Sequence, residues 1–173
     1  TNAAGNVFKA NRNLTFGIAG NFINQTTFES VGMLSVNAAN ITNQTGALIN
    51  ANLSKLTTTG DITNAGRIEG NTVETHSNNL NNTATVMGGT LNLYANNLNN
   101  LNTSAFIGAT QTINLIIANA LNNQDGATLY SLGDINIGSS LALNANGYLT
   151  GNAAIVTNQS ATIEATGNLR ISA

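Results

Sequence analysis

Apolar and polar residues alternate in short runs along this chain: Leu91-Asn92-Leu93, Ile113-Asn114-Leu115, Ile135-Asn136-Ile137, Leu141-Ala142-Leu143 and Leu169-Arg170-Ile171. A period of two turns one side of a strand inward and the other outward. No window holds the i, i+3, i+4, i+7 spacing of an amphipathic helix through three turns. Glycine, asparagine and β-branched residues stand where helix formers would be needed. The pattern predicts an all-β chain.

One phrase, an aliphatic residue followed two positions later by asparagine, recurs. It appears as Phe22-Ile23-Asn24, Ile41-Thr42-Asn43, Ile62-Thr63-Asn64, Leu80-Asn81-Asn82, Leu98-Asn99-Asn100, Leu121-Asn122-Asn123 and Val156-Thr157-Asn158. The intervals between successive anchor asparagines are 19, 21, 18, 18 and 23 residues, then 35. Periods near 20 with strand alternation inside each repeat predict a parallel β-helix, a solenoid whose rungs stack on one another. The regular part runs from Gly20 to Ala173, and Thr1–Ala19 reads as one or two imperfect rungs. The whole of 1–173 is expected to form one continuous domain of eight or nine rungs, roughly 40 Å long at ~4.8 Å per strand spacing.

Two details locate corners. Glycine, a small polar residue and an aliphatic recur at Gly20, Gly60, Gly89, Gly133 and Gly167, which reads as one further turn position opened by a glycine of positive φ. The distance from an anchor to the next apolar residue is four at Asn24, Asn64 and Asn82, five at Asn43 (Leu48) and Asn158, and six at Asn100 (Phe106) and Asn123. Length variation is therefore expected at one corner. Where the anchor is missing, Gly138–Gly151 still alternates and reads as a degenerate rung.

Composition agrees with a solenoid. Only 7% of residues are charged and 5% aromatic, with no Trp, Cys or Pro, against roughly a quarter charged in an ordinary domain. A column filled by Ile, Leu, Val and Ala needs few large residues. Asparagine makes up 33 of the 173 residues; stacked on successive rungs, its amides can bond to the copies above and below. A net charge of −2 offers no basic patch for nucleic acid. No apolar run reaches the ~18 residues of a membrane span, so membrane insertion by this segment is not expected.

Candidate chemistry is sparse. Asp61 and Asp134 read as equivalent turn positions three or four rungs apart, beyond the reach of a paired acid mechanism. Glu69 and Glu74 read as outward surface acids, and the single histidine, His76, as a surface turn residue. No catalytic set, metal site or cofactor site is predicted. A lyase or hydrolase on this architecture would need acids and arginines on one face, and Arg12, Arg67 and Arg170 are scattered. Tyr94, Tyr130 and Tyr148 are the candidate exposed anchors for a glycan or protein. Sequons at Asn13, Asn24, Asn40, Asn43, Asn52, Asn81, Asn102 and Asn158 follow from an Asn/Thr-rich composition.

The aliphatic-x-Asn units, with Gly133-Asp134-Ile135-Asn136-Ile137, resemble the roughly 20-residue repeats of filamentous haemagglutinin. That family comprises two-partner-secretion exoproteins, adhesins and contact-dependent growth-inhibition effectors among them. The resemblance covers about Gly20 to Ala173. It implies a right-handed β-helix, export through an outer-membrane transporter of a Gram-negative bacterium, and display on the cell surface as a stalk carrying a distal adhesive or toxin module. It also implies a segment of a larger polypeptide, distinct from the proline-containing secretion domain and from a terminal toxin. A receptor- or glycan-binding role for the segment itself is the alternative.

Overall fold

The computed structural model describes residues 1–173, and every regular element is a β-strand. It is an all-β parallel β-solenoid with rungs of about 20 residues. Each turn has three faces. The first face carries the anchor asparagine (Asn21–Asn24, Asn40–Asn43, Ile62–Asn64), the second follows it (Val7–Ala10, Thr128–Ser131), and the third closes the turn (Leu14–Gly17, Asp134–Gly138). In the middle, the strands Thr85–Leu101 and Phe106–Gln124 bend round the corners and cover all three faces. Every rung-to-rung pairing is parallel.

The registers align like positions into columns. The first face stacks Phe22, Ile41, Ile62, Leu80, Leu98, Leu121 and Val156. The second stacks Phe8, Phe28, Ile49, Ile68, Val86, Ile107, Leu129 and Ile163. Both columns are fully buried from the second rung to the seventh. Most of the interior is aliphatic as the alternation predicts, and near Thr1 Phe8, Phe16, Phe22 and Phe28 form a ring cluster with centroids 5.0 to 5.9 Å apart.

There are eight rungs, one per asparagine from Asn2 to Asn158, about 34 Å from first to last at the strand spacing. Residues 1–19 make one rung in register, since Val7–Ala10 pairs with Thr27–Ser30 and Leu14–Gly17 with Leu34–Asn37. The expected degenerate rung does not exist. Ala120–Gln124 pairs directly with Ile155–Gln159, and the residues between include an antiparallel hairpin, Ser140–Leu143 with Leu149–Gly151. Alternation alone cannot separate a rung from a hairpin, because both are half-buried strands.

Three corner readings also change. Leu48 and Phe106 sit one place too early: the inward residues are Ile49 and Ile107, both fully buried. Two adjacent apolar residues leave the register ambiguous, and packing picks the second. Length varies at every corner, and most at the third-to-first corner, where the hairpin is inserted. The glycine phrase marks two corners: Gly20 and Gly60 precede the first face, whereas Gly89, Gly133 and Gly167 precede the third. None of these five has positive φ. At Gly133 the reason is close approach, because a Cβ would collide with the Gln111 carbonyl of the rung before.

Candidate functional site

The anchor asparagines form one continuous column through the inside of the first corner. Asn2, Asn24, Asn43, Asn64, Asn82, Asn100 and Asn123 are buried, and Asn158 is exposed at the last rung. Each Nδ2 donates to the Oδ1 of the next asparagine, at 2.7 Å from Asn2 to Asn24 and 2.8 to 2.9 Å at the six further steps down to Asn158.

The same amide closes its own corner by donating to the carbonyl two places before the second-face column residue: Thr26, Ala47, Ala84, Ala127 and Ala161. It also reaches the following rung at Leu48, Arg67, Thr85, Thr128 and Thr162. A buried amide with partners on both sides costs nothing in lost solvation, and it fixes the corner whatever its length. Corners of four residues, after Asn24, Asn64 and Asn82, need no left-handed residue. The longer ones each contain at least one: Gly5, Gly46, Asn102, Asp125 with Gly126, and Ser160. The eighth asparagine, Asn2, stands outside the aliphatic-x-Asn phrase. Its interval of 22 residues to Asn24 is the signal that finds it.

Shorter amide ladders run outside, through Asn79–Asn97–Asn119, Asn81–Asn99–Asn122 and Asn92–Asn114–Asn136. The buried positions of Asn24 and Asn43 close those two sequons to modification in the fold, while Asn13, Asn52 and Asn102 are exposed.

The three tyrosines are not brought together. Tyr130 lies half-buried on the second face, Tyr148 is exposed in the hairpin, and Tyr94 points outward on the third face. Tyr94 pairs in register with His76, and the rings stack at 4.3 Å and 7°. His76 is therefore in a strand, not a turn. The stack follows the solenoid axis, with Ile116 next in the column, so the rings present edges to solvent. They border a shallow open cleft with Thr58, Thr59, Ser77, Asn78 and Asn96. Asn96 donates to Asn78 across its floor, and the Ser77 hydroxyl is buried without a partner. Beneath it the interior is unusually polar: Ser54, Thr58 and Thr75 occupy places that hold aliphatics in most other rungs.

The carboxylates are mostly matched. Glu74 meets Lys55 at 2.8 Å and His76 at 2.9 Å. The Lys55 hydrogen bond above all holds its carboxyl below the usual range; burial opposes it, and His76 adds a lesser lowering. Arg67 pairs with Glu69 along one strand and Lys9 with Glu29 across two. Asp61 and Asp134 stand at different corners, yet each caps the rung that follows. Asp61 accepts from the backbone N–H and Nδ2 of Asn79, Asp134 from those of Asn168. The Asn168 N–H, then the Arg170 guanidinium, lower the Asp134 pKa. No three metal-ligating side chains converge.

No protein family, curated protein or solved structure matches the chain. What is shown is a parallel β-solenoid, an architecture common to many repeat families and a rigid, stacked one consistent with a structural scaffold.

Proposed function

We propose that this chain is a stalk segment of a secreted surface filament, exported through an outer-membrane transporter and holding a distal adhesive or toxin module away from the cell. Catalysis has no part in this reading. The observation that carries it is the buried asparagine column, which runs unbroken through eight rungs and locks each turn to the next. Such a column resists bending and shear between rungs, and its information content is structural. The repeat resemblance to filamentous haemagglutinin supplies the cellular setting.

A second reading, recognition of a glycan by the segment itself, has one specific observation behind it. The cleft beside His76 and Tyr94 combines aromatic edges, the Asn78–Asn96 amides and an unpartnered Ser77 hydroxyl over a polar patch of core. Polar groups kept inside a column at a cost in stability are the kind of local exception that function preserves.

The purified chain applied to whole bacteria, host cells and a glycan array separates the two. The stalk reading expects no saturable binding from protein with a β-rich circular dichroism spectrum. Saturable binding abolished by Tyr94→Ala would replace it with the glycan reading.

A further inference from the structure

We propose that Asn146 is a spontaneous deamidation site, and that the rung ladders protect the asparagines they hold from the same reaction. The reaction joins two neighbours in the chain. The backbone nitrogen of the following residue attacks the asparagine Cγ, the Cγ–Nδ2 bond breaks, and ammonia leaves with the proton that the nitrogen carried. Water then opens the resulting succinimide at either carbonyl, giving aspartate or isoaspartate. A glycine after the asparagine speeds the attack, because no Cβ shields its nitrogen. Asn146 is the only one of the 33 asparagines that precedes a glycine, and none precedes serine or histidine.

The fold sets Asn146 apart as well. It lies exposed at the tip of the hairpin, in the turn Asn144–Gly147. It enters that turn through its backbone N–H, which donates to Asn144 Oδ1 at 2.9 Å, and its own amide is left to solvent. The attacking nitrogen, Gly147 N, donates to the Asn144 carbonyl at 3.0 Å. That bond lies inside the turn, and opening it disturbs no rung. The ladder asparagines are held at both reacting atoms. Beside Asn64 and Asn82 the nitrogens that would attack, Ala65 N and Thr83 N, donate to the carbonyls of Asn43 and Asn64 one rung back, at 2.8 and 2.9 Å. The amides that would leave donate to Asn82 and Asn100 one rung on. Reaction there requires rungs to part. The one Asp-Gly pair, Asp125-Gly126, could close the same imide with loss of water, yet its Gly126 N is tied to Ser160 of the next rung at 2.7 Å. Deamidation at Asn146 would give the hairpin a negative charge in a stretch, residues 135–163, that carries no charged side chain.

Peptide mapping by mass spectrometry, on the folded chain kept warm for weeks at mildly alkaline pH, tests this. A gain of one mass unit is expected at Asn146 before any other asparagine, and protein isoaspartate methyltransferase should find isoaspartate at that site. Ala65→Gly and Thr83→Gly each set a glycine behind a buried ladder asparagine, Asn64 or Asn82, with circular dichroism checking the fold. In the folded variants those two should react at least about tenfold more slowly than Asn146, since each needs rung-to-rung hydrogen bonds to break. In guanidinium chloride the difference should vanish. Another asparagine converting ahead of Asn146 overturns the proposal. So does reaction at Asn64 or Asn82 in the folded variants as fast as at Asn146, or a difference that persists in denaturant.

Discussion

The rungs between Asn64 and Asn100 and the rung between Asn123 and Asn158 share the same columns and differ in nearly everything else. The first two are 18 residues each, with four residues between anchor and second face after Asn64 and Asn82. The last interval is 35 residues and contains a hairpin, a six-residue corner from Asn123 to Leu129 and the left-handed Asp125 and Gly126. Yet the Asn123–Asn158 hydrogen bond is 2.8 Å, the same as Asn64–Asn82. The solenoid conserves the stacked strand positions and lets the connections vary, as loop entropy allows: doubling a loop costs only about 0.6 kcal/mol. Regularity of length is therefore a poor guide to the integrity of a rung, and the side chain held at the corner is a better one.

The comparison breaks most sharply at the anchor. Asn82→Ala should strand the Asn100 acceptor, leave the Ala84 carbonyl with only the Phe106 N–H and take from Asn64 one of its partners, lowering unfolding free energy by about 2–3 kcal/mol. Asn158→Ala, at an exposed end, should cost below about 1 kcal/mol. Denaturant unfolding measures both. Equal losses would mean that the ladder's weight does not come from burial.

That same contrast explains what could be read from the chain. Alternation identifies most of the column residues, and aliphatic-x-Asn seven of the eight anchors, because burial imposes both patterns on most rungs. What escaped depended on register between rungs. His76 and Tyr94 stack because they are 18 residues apart, the interval of Asn64, Asn82 and Asn100. That signal was present but required the rungs to be aligned first. At Gly60, Gly89, Gly133 and Gly167 a Cβ excluded by a neighbouring backbone leaves the same mark in sequence as a positive φ, while Gly20 has open space around it. The hairpin is hidden because Leu141 and Leu143 alternate whether or not they stack, and Leu143 is exposed.

Two further changes sharpen the contrast. Thr75 lies in the regular middle, in the column of Leu56 and Leu93, with its hydroxyl buried and unpaired. Thr75→Val should stabilise by about 1 kcal/mol in the same denaturant measurement; a loss would reveal a partner for that hydroxyl. Replacing residues 139–154 by Ile-Ala-Asn, the sequence of 117–119, should convert the irregular turn into a regular one. The loss of buried Leu149 and Ala153 is offset by the shorter connection, so stability should change by less than about 1 kcal/mol. Collapse of the last rung, seen as fast hydrogen exchange at Ile155–Gln159, would show the hairpin to be part of the structure it interrupts.

The smallest effect is electrostatic and sets one carboxylate of the middle against one near the end. Glu74 and Asp134 both have lowered pKa values in the fold, Glu74 chiefly through Lys55 and Asp134 chiefly through the Asn168 N–H. A carboxyl with a lower pKa folded than unfolded stabilises the native state above its unfolded value, near pH 4. That contribution disappears as pH falls through the folded value. Stability should therefore be flat from about pH 7 to 5 and decline below about pH 4. Asp134→Asn and Glu74→Gln should each flatten part of the acid limb. Because neither group is deeply buried, salt should weaken the effect of each. Asp134 is held first by a backbone N–H and Glu74 by the part-exposed side chain of Lys55, so 0.5 M salt should erase more of the Glu74 share. A salt response equal for the two would mean that the fixed backbone donor confers no advantage over the side-chain cation.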